Sequence, residues 1–154
     1  MSDIHTRLKD RGLRLPEPPK PNGNYIPFAR SGRQILVAGQ TCLTDGVLQY
    51  EGVVGADLTV PEAQQAAALC ALNALAIAGL ACDGDFDRLR ALKVTGFVRC
   101  GTNFADTPLV MDGASDVLVL ALGERGRHVR AAVGAAALPR RAPVEIETLF
   151  EVEQ

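Results

Sequence analysis

Residues 61–81, PEAQQAAALCALNALAIAGLA, constrain the fold more than any other stretch of this chain. Thr59 stands where an N-cap belongs, Pro61 falls near the first helical position and Glu62 in the first turn, so the run reads as a helix. Its apolar residues Ala63, Ala66, Ala67, Leu69, Cys70, Leu72, Leu75, Ala76 and Leu80 occupy most of the circumference rather than one stripe. Such a helix must be covered nearly all round, and its alanines let a sheet approach closely. Asn73 at its centre and the absence of basic anchors argue for a buried helix rather than a membrane span.

The cover has to come from the rest of a chain of 154 residues, the length of one domain. Residues 2–12 read as a short amphipathic helix, with Ser2 or Asp3 as N-cap, Ile4 and Leu8 on one side and Gly12 as its end. Residues 15–24, LPEPPKPNGN, hold four prolines and form an extended connector. Residues 25–40 predict a hairpin around Ser31-Gly32, and a loop with Asp45-Gly46 follows. After the long helix, residues 89–100 read as a strand rich in β-branched and aromatic residues. Residues 103–108 read as a loop and 109–122 as a second helix. Two strands, about 129–137 and 143–151, flank the turn Leu138-Pro139-Arg140-Arg141. The order is β-β-α-β-α-β-β after an N-terminal helix, an α+β arrangement with two helices on one face of a mixed sheet. The other face of so apolar a sheet calls for burial against a second copy of the chain, so a homo-oligomer is expected.

Charge and cysteine usage exclude several function classes. A formal net charge of −2 gives no ground for phosphate-backbone binding. The one basic cluster, Arg125, Arg127, His128 and Arg130, reads mostly as a solvated turn. Cys42, Cys70, Cys82 and Cys100 match no zinc spacing and read as free, buried thiols in a reducing cytoplasm, with no metal site. The chain opens on charged residues, which do not resemble a signal peptide. No phosphate loop, dinucleotide fingerprint, nucleophile elbow or zinc-protease motif is present.

What remains is a pair of charges among strand residues. Arg130 begins an apolar strand, and a guanidinium binds carboxylate or phosphate through two parallel hydrogen bonds. Glu145 and Glu147 alternate with Val144, Ile146 and Thr148, so both acids share one face. Spacing alone favours a solvent-facing stripe that pairs with Arg140 or Arg141. The other reading is a site in which a carboxylate positions water for attack on an unsaturated carbon.

Arg130, Val133, Leu138, Pro139, Val144, Glu145, Ile146 and Glu147 spell R-x-x-V-x-x-x-x-L-P-x-x-x-x-V-E-I-E, which resembles the C-terminal signature of the RidA/YjgF family, also known as endoribonuclease L-PSP. GNYIPFARSGRQILVAGQ and KVTGFVRCGTNFAD are similar to its opening and middle stretches. The resemblance covers residues 23–152, within a family-like domain taken as 23–154. Residues 1–22 stand outside it and resemble the extension of a longer subgroup. It implies a chorismate-mutase-like α+β fold, with a mixed six-stranded sheet and two helices on one face. It also implies a homotrimer around a central barrel, with clefts between neighbouring subunits. The implied activity is hydrolysis of reactive 2-imino or enamine acids to 2-ketoacids and ammonia, without cofactor or metal. By the same resemblance Arg130 grips the substrate carboxylate and Glu145 positions the water, while Tyr25, Gly39 and the backbone of Ala132 line the cleft. Ala132 stands where many members have cysteine, and Ala38 where a hydroxyl residue precedes Gly39. Asp112 stands about where asparagine is usual, and its charge near an anionic substrate weakens binding unless it is paired or turned away. Two further readings share these residues: a non-catalytic protein that binds a small carboxylate such as a 2-ketoacid, and a single-strand ribonuclease. The second is disfavoured by the lack of interleaved basic and aromatic residues.

Overall fold

A computed structural model of the chain describes residues 3–153. Its first helix, α1, runs Ile4–Lys9, with the Asp3 carboxylate accepting the Thr6 N–H at 2.8 Å; the alternative cap, Ser2, lies outside the described residues. The connector leads into β1 (Phe28–Ser31) and β2 (Gln34–Thr41). A two-stranded ribbon of β3 (Leu43–Thr44) and β4 (Val47–Leu48) precedes the long helix α2 (Val60–Ala81). Then come β5 (Leu89–Arg99), α3 (Thr107–Leu122), β6 (Val129–Ala135) and β7 (Val144–Val152).

The start of α2 follows from its sequence: Thr59 Oγ1 accepts the Glu62 N–H at 3.3 Å and Glu62 Oε2 accepts the Thr59 N–H at 2.8 Å, a reciprocal capping box. Ala63, Ala66, Ala67, Cys70, Leu72, Leu75 and Ala76 are all buried, and only at the last turn does Leu80 emerge, 51% exposed. The helix is long and apolar enough to cross a membrane, but most of it is enclosed by this fold. Both helix C-termini are closed by arginines reaching from elsewhere. Arg30 donates to the Ala81 carbonyl, and Arg7 donates to the Ala121 carbonyl through Nε at 3.0 Å. Cations are favoured there because the last carbonyls lack helical partners.

The main sheet has the order β1-β2-β7-β5-β6, with β5 and β6 parallel and the other pairs antiparallel. α2 packs on β2 and β7, and α3 on β5 and β6, so one face is helical. Ile35, Val37, Val94, Val98, Val144, Ile146 and Phe150 point into that layer and are buried. The other face carries Leu36, Val129 and Val133, exposed at 48%, 68% and 44%, beside the acids of β7. It is the face for which the sequence demands a cover.

The main sheet therefore has five strands where the resemblance implies six, because β3 and β4 pair only with each other. α3 begins at Thr107, two residues before the expected start, because Pro108 opens the helix instead of closing the loop. α1 stops at Lys9, with Gly12 in the turn beyond it.

The two long helices touch through backbone. A methyl group on Gly113 would run into the Gln64 carbonyl of α2. Alanine gains about 1 kcal/mol over glycine in helix propensity. Overpacking against an unyielding backbone costs about 1–3 kcal/mol or more and wins here. Gly113→Ala should lower stability by about 1–2 kcal/mol net, read from the urea midpoint; an unchanged or raised midpoint would contradict this packing.

Candidate functional site

β2 bulges where it passes β7. Val37 pairs with Thr148 and Gln40 with Ile146, three steps on one strand against two on the other. The extra residue puts Ala38 and Gly39 in the lining of a cavity of about 450 Å³. Glu145 lines it too, and a side chain on Gly39 would collide with the Glu145 carboxylate. Glycine is thus needed at 39 for close approach rather than for backbone freedom. The connector supplies a wall, Pro19–Asn22, and Tyr25 stands beside it with its hydroxyl accepting the Asn22 N–H at 3.2 Å. Leu43, Pro139 and Arg140 complete the rim. From α2, the buried Asn73 donates to the Thr41 and Leu43 carbonyls at 3.0 and 2.9 Å, which fixes the end of β2 against the core.

Glu145 is half-buried, and among the described residues its carboxylate makes no hydrogen bond or ion pair. Burial, and secondarily the charge of Glu147, hold its pKa above the ordinary carboxylate value. Such a group is a base that takes up a proton more readily than a surface glutamate, and it faces open volume large enough for a small organic acid.

Arg130 lies elsewhere. On β6 it pairs with Val94 of β5 and points toward α3, whereas Glu145 sits on β7, beyond β5, on the opposite face. Its Nη1 donates to Asp112 Oδ1 at 2.9 Å and to Ser115 Oγ at 3.0 Å, and its Nη2 donates to the Pro108 carbonyl at 3.1 Å. Ser115 Oγ is 3.0 Å from His128 Nε2, and His128 Nδ1 is 2.6 Å from the Gly126 carbonyl. With the proton on Nδ1, Ser115 donates to Nε2 and every group is satisfied. The Ala132 carbonyl, two residues along β6, accepts the Thr107 hydroxyl at 3.1 Å. The basic cluster around Arg130 is locally neutralised, since Arg125 pairs with Asp87 and Arg127 with Glu124.

The chain thus brings Tyr25, Gly39 and Glu145 into one pocket and gathers Arg130, Asp112 and Ala132 at another place. Asp112 is paired, as the sequence required of it if it is not to repel an anion. Two cations of the pocket, Lys20 and Arg140, escaped the sequence reading. In the sequence Arg140 reads only as a surface partner for the acids, and Lys20 falls in the connector outside the family-like domain. Arg140 and Arg141 both have left-handed backbone, φ 56° and 63°. That conformation costs a residue with a Cβ about 1–2 kcal/mol, and nothing in the composition of the turn announces it.

The sequence profile of a family described as "YjgF/chorismate mutase-like, putative endoribonuclease" matches residues 5–150. Protein TCP17 of Trypanosoma cruzi is 39% identical over 151 residues, 97% of this chain and 94% of that protein. The solved structure of Atu1372, a protein of unknown function from Agrobacterium tumefaciens, is 43% identical with a TM-score of 0.91, covering 97% of this chain and 92% of that one. A Shewanella oneidensis protein described in the same endoribonuclease terms is 34% identical with a TM-score of 0.92, covering 98% of this chain and all of that one, 100%.

Glu145 makes stability depend on pH in a definite direction. Its folded pKa lies above the unfolded one, so its ionisation opposes folding: the penalty is absent below the unfolded value, near 4.5, and is complete above the raised folded value. Glu145→Gln should therefore melt higher than the wild type at neutral pH, with the difference vanishing on acidification through that window. A variant that melts lower at neutral pH would show that the carboxylate is not paying for burial.

Proposed function

The chain belongs to the YjgF/chorismate mutase-like family, and on that premise we propose that it hydrolyses reactive 2-imino or enamine acids to 2-ketoacids and ammonia. The observation that carries this reading is Glu145: a carboxylate of raised proton affinity, without an internal partner, at the floor of an open pocket. Water held against it attacks C2 of the imine. As the C–O bond forms, the C=N electron pair moves to nitrogen and Glu145 takes the water's proton. Collapse of the tetrahedral adduct forms the C2 carbonyl and breaks the C–N bond: the proton stored on Glu145 and the adduct's hydroxyl proton both pass to nitrogen, which leaves with its own hydrogen as ammonia. The reaction consumes one water and needs no redox partner.

In this reading Arg130 joins Glu145 across a boundary between copies of the chain, while its Nη1 stays on Asp112 and Ser115. A homotrimer closed through the exposed Leu36, Val129 and Val133 face is part of this proposal. A reducing, cytoplasmic setting fits the four free cysteines, three of them buried, with burial raising the pKa values of Cys42, Cys70 and Cys82. For RNA cleavage the net charge of −2 and the small, proline-walled pocket give no backbone-binding groove.

The test is ammonia release from freshly generated 2-aminoacrylate. The wild type should accelerate it, and Glu145→Gln should lower the rate by about 10²–10⁴-fold, the usual weight of a general base. Glu147→Gln, on the same face but outside the pocket, should keep most of the rate. Equal rates for wild type and Glu145→Gln, or none for the wild type, would overturn the assignment; ketoacid binding without turnover would leave a binding protein.

A further inference from the structure

Ser115 stands in the middle of α3, where a serine hydroxyl can donate back to the carbonyl one turn earlier. Here the hydroxyl is directed to His128 instead. Ser115 Oγ lies 3.0 Å from His128 Nε2, and His128 Nδ1 lies 2.6 Å from the Gly126 carbonyl. A carbonyl only accepts, so Nδ1 carries the proton of the neutral ring and Nε2 is left to accept. The single proton of Ser115 therefore goes to His128. The lone pairs of Oγ are turned toward Arg130, whose Nη1 donates to them at 3.0 Å.

The guanidinium is thereby held from behind with donors to spare in front. Both Nη1 hydrogens are taken, by Asp112 Oδ1 at 2.9 Å and by Ser115, and one Nη2 hydrogen goes to the Pro108 carbonyl at 3.1 Å. Nε–H and a second Nη2 hydrogen have no partner among the described residues. Nε and Nη2 form one of the edges through which arginine takes a carboxylate by two parallel bonds. The side chain keeps 23% of its surface exposed, enough for a ligand to reach it. Ser115, Val119, Arg127, His128 and Arg130 line an open depression of about 240 Å³ on this side. Of the other charges there, Asp112 is bound to Arg130, and Arg127 pairs with Glu124 at 2.9 Å.

We infer that Ser115 and His128 are positioning residues for Arg130: His128 orients the Ser115 hydroxyl, the hydroxyl and Asp112 together hold Nη1, and the Nε–Nη2 edge is presented to the carboxylate of the ligand. Asp112 balances the charge, whereas Ser115 is a neutral acceptor that sets the plane of the fork. Without it one Nη1 donor is unpaired, and the fork can swing toward water or toward the ligand in the wrong orientation. That the ligand's carboxylate meets Arg130 rests on the deaminase reading; the tautomer of His128 and its coupling to Arg130 through Ser115 do not.

The probe is pyruvate, the ketoacid that 2-aminoacrylate yields. Its dissociation constant is measured calorimetrically for the wild type, Ser115→Ala, Ser115→Thr, His128→Ala, His128→Gln, Arg127→Ala and the double variant Ser115→Ala/His128→Ala. Alanine is favoured on a helix, so Ser115→Ala should stay folded, and its melting temperature checks this. Ser115→Ala should raise the dissociation constant about five- to tenfold, the weight of one hydrogen bond. Ser115→Thr keeps the hydroxyl and should stay within about threefold. His128→Ala should weaken binding less than Ser115→Ala, and His128→Gln, whose amide oxygen can accept in place of Nε2, should recover part of that loss. Because His128 acts through Ser115, the double variant should bind no worse than Ser115→Ala alone. Arg127→Ala, in the same depression but already paired, should stay within about twofold. In turnover Ser115→Ala should raise KM by the same factor as the dissociation constant and change kcat by less than about twofold, a split that a general loosening of α3 would not produce. Nitrogen NMR of the neutral His128 ring should show Nδ1 protonated and Nε2 bare. A change below about twofold in Ser115→Ala, additive losses in the double variant, a protonated Nε2 on the neutral ring, or no pyruvate binding by the wild type would overturn the inference. Ser115-dependent pyruvate binding without any ammonia release would sink the deaminase reading and leave the positioning pair standing; Glu145-dependent ammonia release with an unchanged KM in Ser115→Ala would do the reverse.

Discussion

The contact between α2 and the sheet is the constraint from which the rest of the molecule follows. A helix whose side chains are mostly alanine brings its backbone close to β2 and β7, and closeness leaves no room for slippage. Asn73 is the polar pin in that seam, and its two bonds to the Thr41 and Leu43 carbonyls set where β2 ends. The bulge at Ala38 and Gly39 and the register of β7 are fixed on the far side of the same contact. The position of Glu145 is in this sense decided by side chains of α2 that lie outside the pocket lining.

Two arginines that look alike in the sequence stand in different surroundings. Arg130 is largely enclosed by a ring of acceptors, and its charge is cancelled by Asp112. Arg140 sits in a strained turn with its charge unpaired beside the pocket. The aspartate at position 112 therefore balances the charge of that guanidinium and ties α3 to β6.

Most of the fold was legible because its signals are local. The capping box of α2, the alternation of β7 into buried Val144, Ile146 and Phe150 against Glu145 and Glu147, and the hairpin of β1 and β2 all announce themselves within a few residues. The resemblance to a known family located Glu145, Tyr25 and Gly39, which the structure places in one cavity. It also named Arg130, which a single chain does not bring there. Lys20 and Arg140 were missed because each lies where chain direction is set by distant contacts. Prolines stiffen the connector without saying which way it runs, and arginine gives no hint of positive φ. The separate ribbon of β3 and β4 was lost for a similar reason, since two-residue strands carry no periodicity.

The connector deserves to be seen as a partition hung between two anchors. At one end α1 is tied down by Ile4 and Leu8 in the core and by Arg7 on the last turn of α3; at the other the chain enters β1. Between them the prolines line the cavity while contributing little to the main core, where Leu13 and Leu15 provide the partial attachment. A partition of this kind can change its length or residues without disturbing the sheet. The shape of the chamber is thus set by a segment held at both ends, with α1 some distance away keeping the wall upright.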